Sequence, residues 1–278
     1  MSNYYYLVAG LPDVAPDDAR LPFGVAHFRD EVLPLLKSAD RKLLDLFYLQ
    51  FDNALLLQVL QQKADADTTK GLFSREELEE AVRLVQRDEE CDLIPHYMKE
   101  FIRRYADLKE NSNALAEDVL TGYYYDYACH AKNSFVREWF EFCRDVNNVL
   151  IAFTARCYGF KAEPFLIGQG ELVRQLASSA ARDFGIGTEF EAVHTLATIS
   201  ESNDPVWKER KLDRLKWDWL EEHSFFFPFS AERLFAFVQQ LHLVERWTGV
   251  DHERGARMFR QLIDGLKNQV EVPHEFCI

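Results

Sequence analysis

The stretch KNSFVREWFEFCRDVNNVLIAFTARCY, residues 132–158, decides the fold. Its apolar residues Phe135, Trp139, Phe142, Cys143, Val146, Val149, Leu150, Phe153 and Cys157 recur at steps of three and four, the period of one helix face. The stripe lasts about seven turns, so one long helix with a continuous buried side is expected. A second long helix is expected over Asp40 to Gln62. There Leu43, Leu44, Leu46, Phe47, Leu49, Phe51, Leu55, Leu56, Leu57, Val59 and Leu60 wrap most of the circumference, which places that helix centrally.

Working outward, local start signals define more helices. Ser74-Arg75-Glu76-Glu77 is a capping box opening a helix to about Arg87. Asp204-Pro205 sets an N-cap acid before a proline at the first helical position, with the helix running to Glu222. Ser230-Ala231-Glu232-Arg233 opens another, with Leu234, Phe237, Val238, Leu241 and Val244 on one face. A last helix is expected over 251–269, and segments 24–37, 92–108, 114–130, 170–184 and 188–200 also read as helical. Only Tyr4 to Val8, aromatic and β-prone, reads as a strand. The polar run Lys63 to Gly71 reads as a loop, with further breaks at Gly159 to Gly170 and Ser200 to Asp204. The expected fold is all-α, a multi-lobed helical bundle with long central helices. It forms one unit over 1–278, with possible lobes at 1–70, 71–165 and 166–278.

The composition agrees. Hydrophobic residues make up 47% and charged residues 28% of 278, the balance of a folded chain rather than a disordered one. Only 12 Gly and 9 Pro argue against a loop-rich all-β protein. A net charge of −14 argues against a nucleic-acid grip, since phosphates demand a basic surface. No signal-peptide pattern opens the sequence, and five cysteines without C-x-x-C read as reduced thiols. A cytoplasmic protein is expected.

Reaction motifs are missing from the linear sequence. There is no P-loop, no H-E-x-x-H and no G-x-S-x-G. One Glu-x-x-His occurs, Glu191 to His194, whereas a helical di-metal site needs two; a half-buried or surface pair is the simpler reading. The acids between Arg87 and Asp92 lack the ligand spacing of a calcium loop. Tyr123-Tyr124-Tyr125-Asp126-Tyr127 points aromatics to all sides of a helix, as either core or interaction surface. No catalytic residue, cofactor or metal is assigned.

Two helices share a spacing. Asp52 precedes Lys63 by eleven residues, and Asp145 precedes Arg156 by eleven, close to three turns, so acid and base share a face. Aligning Asp52 with Asp145 sets Leu56 over Val149, Leu57 over Leu150 and Leu60 over Phe153. The second copy, Asp145-x-x-Asn148 followed by Val149-Leu150 and then Arg156-Cys157-Tyr158-Gly159, resembles the D-x-x-N-[LIV] … R-x-x-x-G helices of the C (d) subunit of archaeal- and vacuolar-type ATPases. The first copy lacks the Asn, and no clean third copy follows. The opening Tyr4-Tyr5-Tyr6-Leu7-Val8-Ala9-Gly10-Leu11-Pro12-Asp13 looks like a largely uncharacterised bacterial family encoded among V-type ATPase genes. So do Phe225-Phe226-Phe227-Pro228-Phe229-Ser230-Ala231-Glu232 and Leu243-Val244-Glu245-Arg246-Trp247.

That resemblance implies a non-catalytic rotor subunit, a helical socket between the central shaft and the proteolipid ring. Its partners would be those subunits, with no nucleic acid. It would lie on the cytoplasmic side, peripheral to the inner membrane and held there only through protein partners, in support of proton or sodium transport. Asp52, Lys63, Asp145, Asn148 and Arg156 are expected to organise lobe cores and helix junctions. Two other readings stay open: a helical-bundle metalloenzyme using Glu191 and His194, and a soluble adaptor unrelated to the ATPase.

Overall fold

The computed structural model describes residues 4–63, 70–111 and 115–248. Within them the chain is all-α. Eleven α-helices follow in order: α1 Tyr5–Ala9, α2 Val25–Val32, α3 Ser38–Leu60, α4 Arg75–Gln86, α5 His96–Asn111, α6 Ala116–Ala128, α7 Ser134–Tyr158, α8 Glu171–Ser178, α9 Ala192–Glu201, α10 Pro205–Ser224 and α11 Ala231–Thr248. Short 3-10 turns lie at Leu33–Leu35 and Glu163–Phe165. The helix expected over 251–269 falls outside the described residues.

Local chemistry sets the helix ends. Both halves of the Ser74 capping box are made: its hydroxyl accepts from the Glu77 amide, and the Glu77 carboxylate accepts from the Ser74 amide at 2.8 Å. Asp204 Oδ1 caps α10 by accepting from the amides of Val206 and Trp207, with Pro205 at the first position where no donor is missed. Asn133 caps α7 through the Val136 amide. Gly159 ends α7 at φ +74, a left-handed turn that favours glycine.

The expected strand at Tyr4–Val8 is a helix instead. A lone strand leaves its backbone unpaired, whereas here the Val8 amide donates to the Tyr4 carbonyl at 2.9 Å. The segment expected as one helix over 170–184 stops at Ser178. Beyond it, the Arg156 guanidinium donates to the carbonyls of Ser179, Ala181 and Arg182 and so replaces the bonds a continued helix would have made.

Apolar packing forms two clusters. The first gathers Phe28, Phe47, Tyr48, Leu56, Met98, Phe101, Leu120, Trp139, Leu220 and Phe235 from α2 to α7, α10 and α11. The second gathers Val146, Val149, Ala152 and Ala155 from the later half of α7 with Leu176, Phe184, Ile186, Val193, Leu196 and Ile199. Both α7 and α10 run through both: Phe135 to Cys143 face the first and Val146 to Ala155 the second, while Trp217 and Leu220 contrast with Leu212 and Leu215. The division between clusters therefore crosses two helices.

Helix α11 is enclosed on nearly every side. Besides the expected stripe it buries Phe235, Ala236, Leu243 and the polar Glu232, Gln239 and Gln240, because α2, α3, α7 and α10 all pack on it. Glu232 is satisfied there by the Asn133 amide group at 2.7 Å. Helix α3 passes the length and composition test for a membrane span, with mean hydropathy 1.3, and half of that window is buried within the protein. Its buried Asp52 and Asn53 and its contacts with α4, α6 and α11 mark a core helix.

Candidate functional site

Three of the five residues singled out by the repeated spacing hold connecting segments. Asp52 is fully buried. Its Oδ1 accepts from the amides of Leu72 and Phe73 at 2.8 and 3.0 Å, fixing the chain as it enters α4. Gly71 is required beside it, since a Cβ there would lie 2.2 Å from the same oxygen. Arg29 donates to the Gly71 carbonyl and Lys70 pairs with Glu245 at 2.9 Å, so residues 70–73 are gripped by groups from α2, α3 and α11. In the second cluster, Asn148 donates to the Ile167 carbonyl at 2.9 Å and accepts from its amide at 2.8 Å. Arg156 holds the carbonyls of Ser179, Ala181 and Arg182 and lies 3.9 Å over the Phe184 ring.

The other two behave differently. Lys63 lies beyond the end of α3 with its side chain exposed, and its carbonyl accepts from Arg75 at 2.8 Å. Asp145 pairs with its neighbour Arg144 at 2.9 Å, and burial raises its pKa against the pull of that guanidinium. The partner of Asp52 in role is thus Asn148, not Asp145: each is a buried polar residue on a long helix that holds the loop leading to the next helix. Asp145 and Asn148 are one turn apart on one face, and the loop's path decides which of them reaches it.

The remaining candidates stay apart. Glu191, which precedes the first residue of α9, and His194 on that helix are both exposed, and among the described residues no group of three or more His, Cys, Asp and Glu is placed to hold a metal ion. Arg87 and Arg103 approach Glu89 and Asp88 only at 4.0 and 3.9 Å, on the surface. The tyrosine run belongs mainly to the first core. Tyr124 is buried and donates to the Leu46 carbonyl at 2.8 Å, Tyr125 accepts from Asn147 at 3.1 Å, and Tyr127 stacks near Tyr97 with centroids 5.0 Å apart. Burial pushes the Tyr124 and Tyr125 hydroxyls far above their usual pKa; they serve as neutral hydrogen-bonding groups.

What the fold leaves outside is a corner of aromatic rings. The Tyr4 amide donates to the Phe229 carbonyl at 2.8 Å. The Tyr4 hydroxyl donates to Asp40 at 2.6 Å and accepts from the Lys37 amide at 3.1 Å. This clip joins the start of the chain to the α10–α11 turn and to the head of α3. Tyr5 then meets Phe229, with centroids 4.8 Å apart, while Tyr6, Phe225 and Phe226 are 89%, 75% and 80% exposed. Single exposed aromatics are ordinary, but five near one junction make this corner the candidate interaction surface. Beside the clip, Asp40 also lines a groove of about 1040 Å³ with Leu43, Leu46, His96, His130 and Lys132 on its walls. No local period in the sequence links residues 4–6 to 225–229, so their pairing is visible only in the fold.

A family model described as "Protein of unknown function (DUF2764)" matches residues 1–270. No curated protein and no solved structure matches the chain.

Proposed function

The chain belongs to the DUF2764 family, and from that premise we propose that it is a non-catalytic subunit of a V-type (A/V-type) ATPase or ATP synthase. It acts as a C-like central-stalk socket between rotor shaft and membrane ring. The observation that carries the proposal is the aromatic corner: Tyr4 and Tyr5 meet Phe229 of the 225–229 turn, and both stretches are among those that look like the family encoded among V-type ATPase genes. A solvent-facing aromatic surface is what a subunit held by protein contacts needs. Stiffness supports the reading too, since α7 and α10 pass unbroken through both apolar clusters, and a part that transmits torque has to resist bending. In the complex the chain would sit on the cytoplasmic face, peripheral to the membrane, supporting proton or sodium movement without a reaction centre of its own.

Co-expression with the shaft and proteolipid-ring subunits of the same organism tests the proposal. The chain is expected to co-purify with at least one of them, and the double variant Tyr6→Ser, Phe226→Ser is expected to lose that association while melting like the parent. Failure of the parent chain to co-purify with either, where the ATPase itself assembles, would sink it.

A further inference from the structure

The whole chain is acidic, yet residues 208–216 hold Lys208, Arg210, Lys211, Arg214 and Lys216 against only Glu209 and Asp213. Both acids are already engaged: Arg246 bonds Asp213 Oδ1 at 2.9 Å and Glu209 at 2.6 Å, and the Trp247 indole N–H donates to Asp213 Oδ2 at 2.6 Å. Trp207, Arg210, Lys211 and Arg214 are exposed and fall at i, i+3, i+4 and i+7, which is one helix face. Arg214 pairs with Asp218 at 2.8 Å, but among the described residues no carboxylate lies within ion-pair distance of Arg210 or Lys211. Their charges instead rest against indoles, Arg210 4.0 Å over Trp247 and Lys211 5.6 Å from Trp207.

Two further observations narrow the ligand. A cleft of about 370 Å³ is lined by these three cations with Trp217 and Trp247, and by two carboxylates, Asp17 and the already engaged Asp213; it is large enough for a phosphate-bearing headgroup. At the start of the same helix Val206 is 59% and Trp207 37% exposed. An indole beside unpaired Arg and Lys suits a bilayer interface, where the ring lies at headgroup depth and the cations meet lipid phosphate. A dissolved anion would use the cations and leave Val206 and Trp207 without purpose.

We propose that the outward face of α10, from Val206 to Arg214, docks on anionic phospholipid headgroups. The contact is made by the chain itself and does not depend on the rotary-ATPase reading. Electrostatics supply the selectivity, at about fivefold in affinity for each cation near the surface, and Trp207 supplies the apolar insertion.

Co-sedimentation of the full chain, alone, with phosphatidylcholine vesicles containing or lacking phosphatidylglycerol tests this. Binding is expected only with phosphatidylglycerol, in spite of the chain's net charge of −14, and it should weaken as salt shortens the screening length. The double variant Arg210→Gln, Lys211→Gln is expected to bind at least tenfold more weakly. Trp207→Ala should weaken binding severalfold with every charge kept, and Arg210→Lys should bind like the parent. Equal binding to both vesicle types overturns the proposal, as does a double variant that melts and binds like the parent. Saturable binding of glycerol phosphate or inorganic phosphate without any preference for phosphatidylglycerol vesicles also overturns it, in favour of a small-anion cleft.

Discussion

At Asp52 one carboxylate oxygen takes the amides of Leu72 and Phe73, while Oδ2, among the described residues, has no partner. Burial raises its pKa to about 6 against the lowering effect of those amides and of Arg29. A folded pKa raised about two units above the unfolded value means that the ionised form costs the fold up to about 3 kcal/mol at neutral pH. That cost disappears as pH falls below the unfolded value. His242 works in the opposite sense. Burial, with Lys70 and Arg246 nearby, lowers its pKa to about 4, so the stability of its neutral form is kept above about 6.5 and lost as pH falls toward 4. The two groups offset each other in acid. Asp52→Asn, which keeps the oxygen acceptor, is therefore expected to raise stability by about 2–3 kcal/mol at pH 8 and by almost nothing below pH 4. The variant's stability should fall more steeply between pH 6.5 and 4 than the parent's, and urea titrations across that range check both. Gly71→Ala tests the same junction sterically: with Asp52 Oδ1 2.2 Å from the new Cβ, it should cost about 1–3 kcal/mol. Sequence reading found Asp52 by its spacing from Lys63, but the amides that complete its role lie twenty residues on.

For single elements, what was legible was what is local. The Ser74 capping box, the Asp204-Pro205 start and the extent of α7 all depend on residues within one or two turns. Ser74→Ala should cost about 1 kcal/mol, measured by chemical denaturation. Non-local bonds were hidden. Nothing in the spacing distinguishes Asp145 from Asn148, which share a face, yet only Asn148 exchanges two hydrogen bonds with Ile167. Removing it leaves the half-buried Ile167 amide and carbonyl without that partner, so Asn148→Ala is expected to cost about 1–2 kcal/mol and to speed hydrogen exchange around residues 166–168. Helix α8 ends early for a comparable reason: Arg156, twenty-three residues before Ser179, captures its carbonyl and those that follow.

Across the whole molecule, the two apolar clusters are tied by α7 and α10, and Phe142 stacks on Trp219 with centroids 5.4 Å apart where the clusters adjoin. Neither cluster can lose its packing without exposing part of a helix that the other needs. Denaturant unfolding is thus expected as one transition, coincident by circular dichroism and by tryptophan fluorescence; two separated transitions would mean that the clusters fold as independent lobes. The sequence by itself determined the helical class, the long stripe of α7, the helix starts and the lack of a linear reaction motif, since periodicity and capping act over a few residues. Only the tertiary structure decided that Tyr4 and Tyr5 meet Phe229, that Asn148 rather than Asp145 matches Asp52, and that Arg210 and Lys211 rest against indoles rather than against a carboxylate of the described residues. Those outcomes rest on contacts between residues far apart in the chain, which packing chooses and no local pattern encodes.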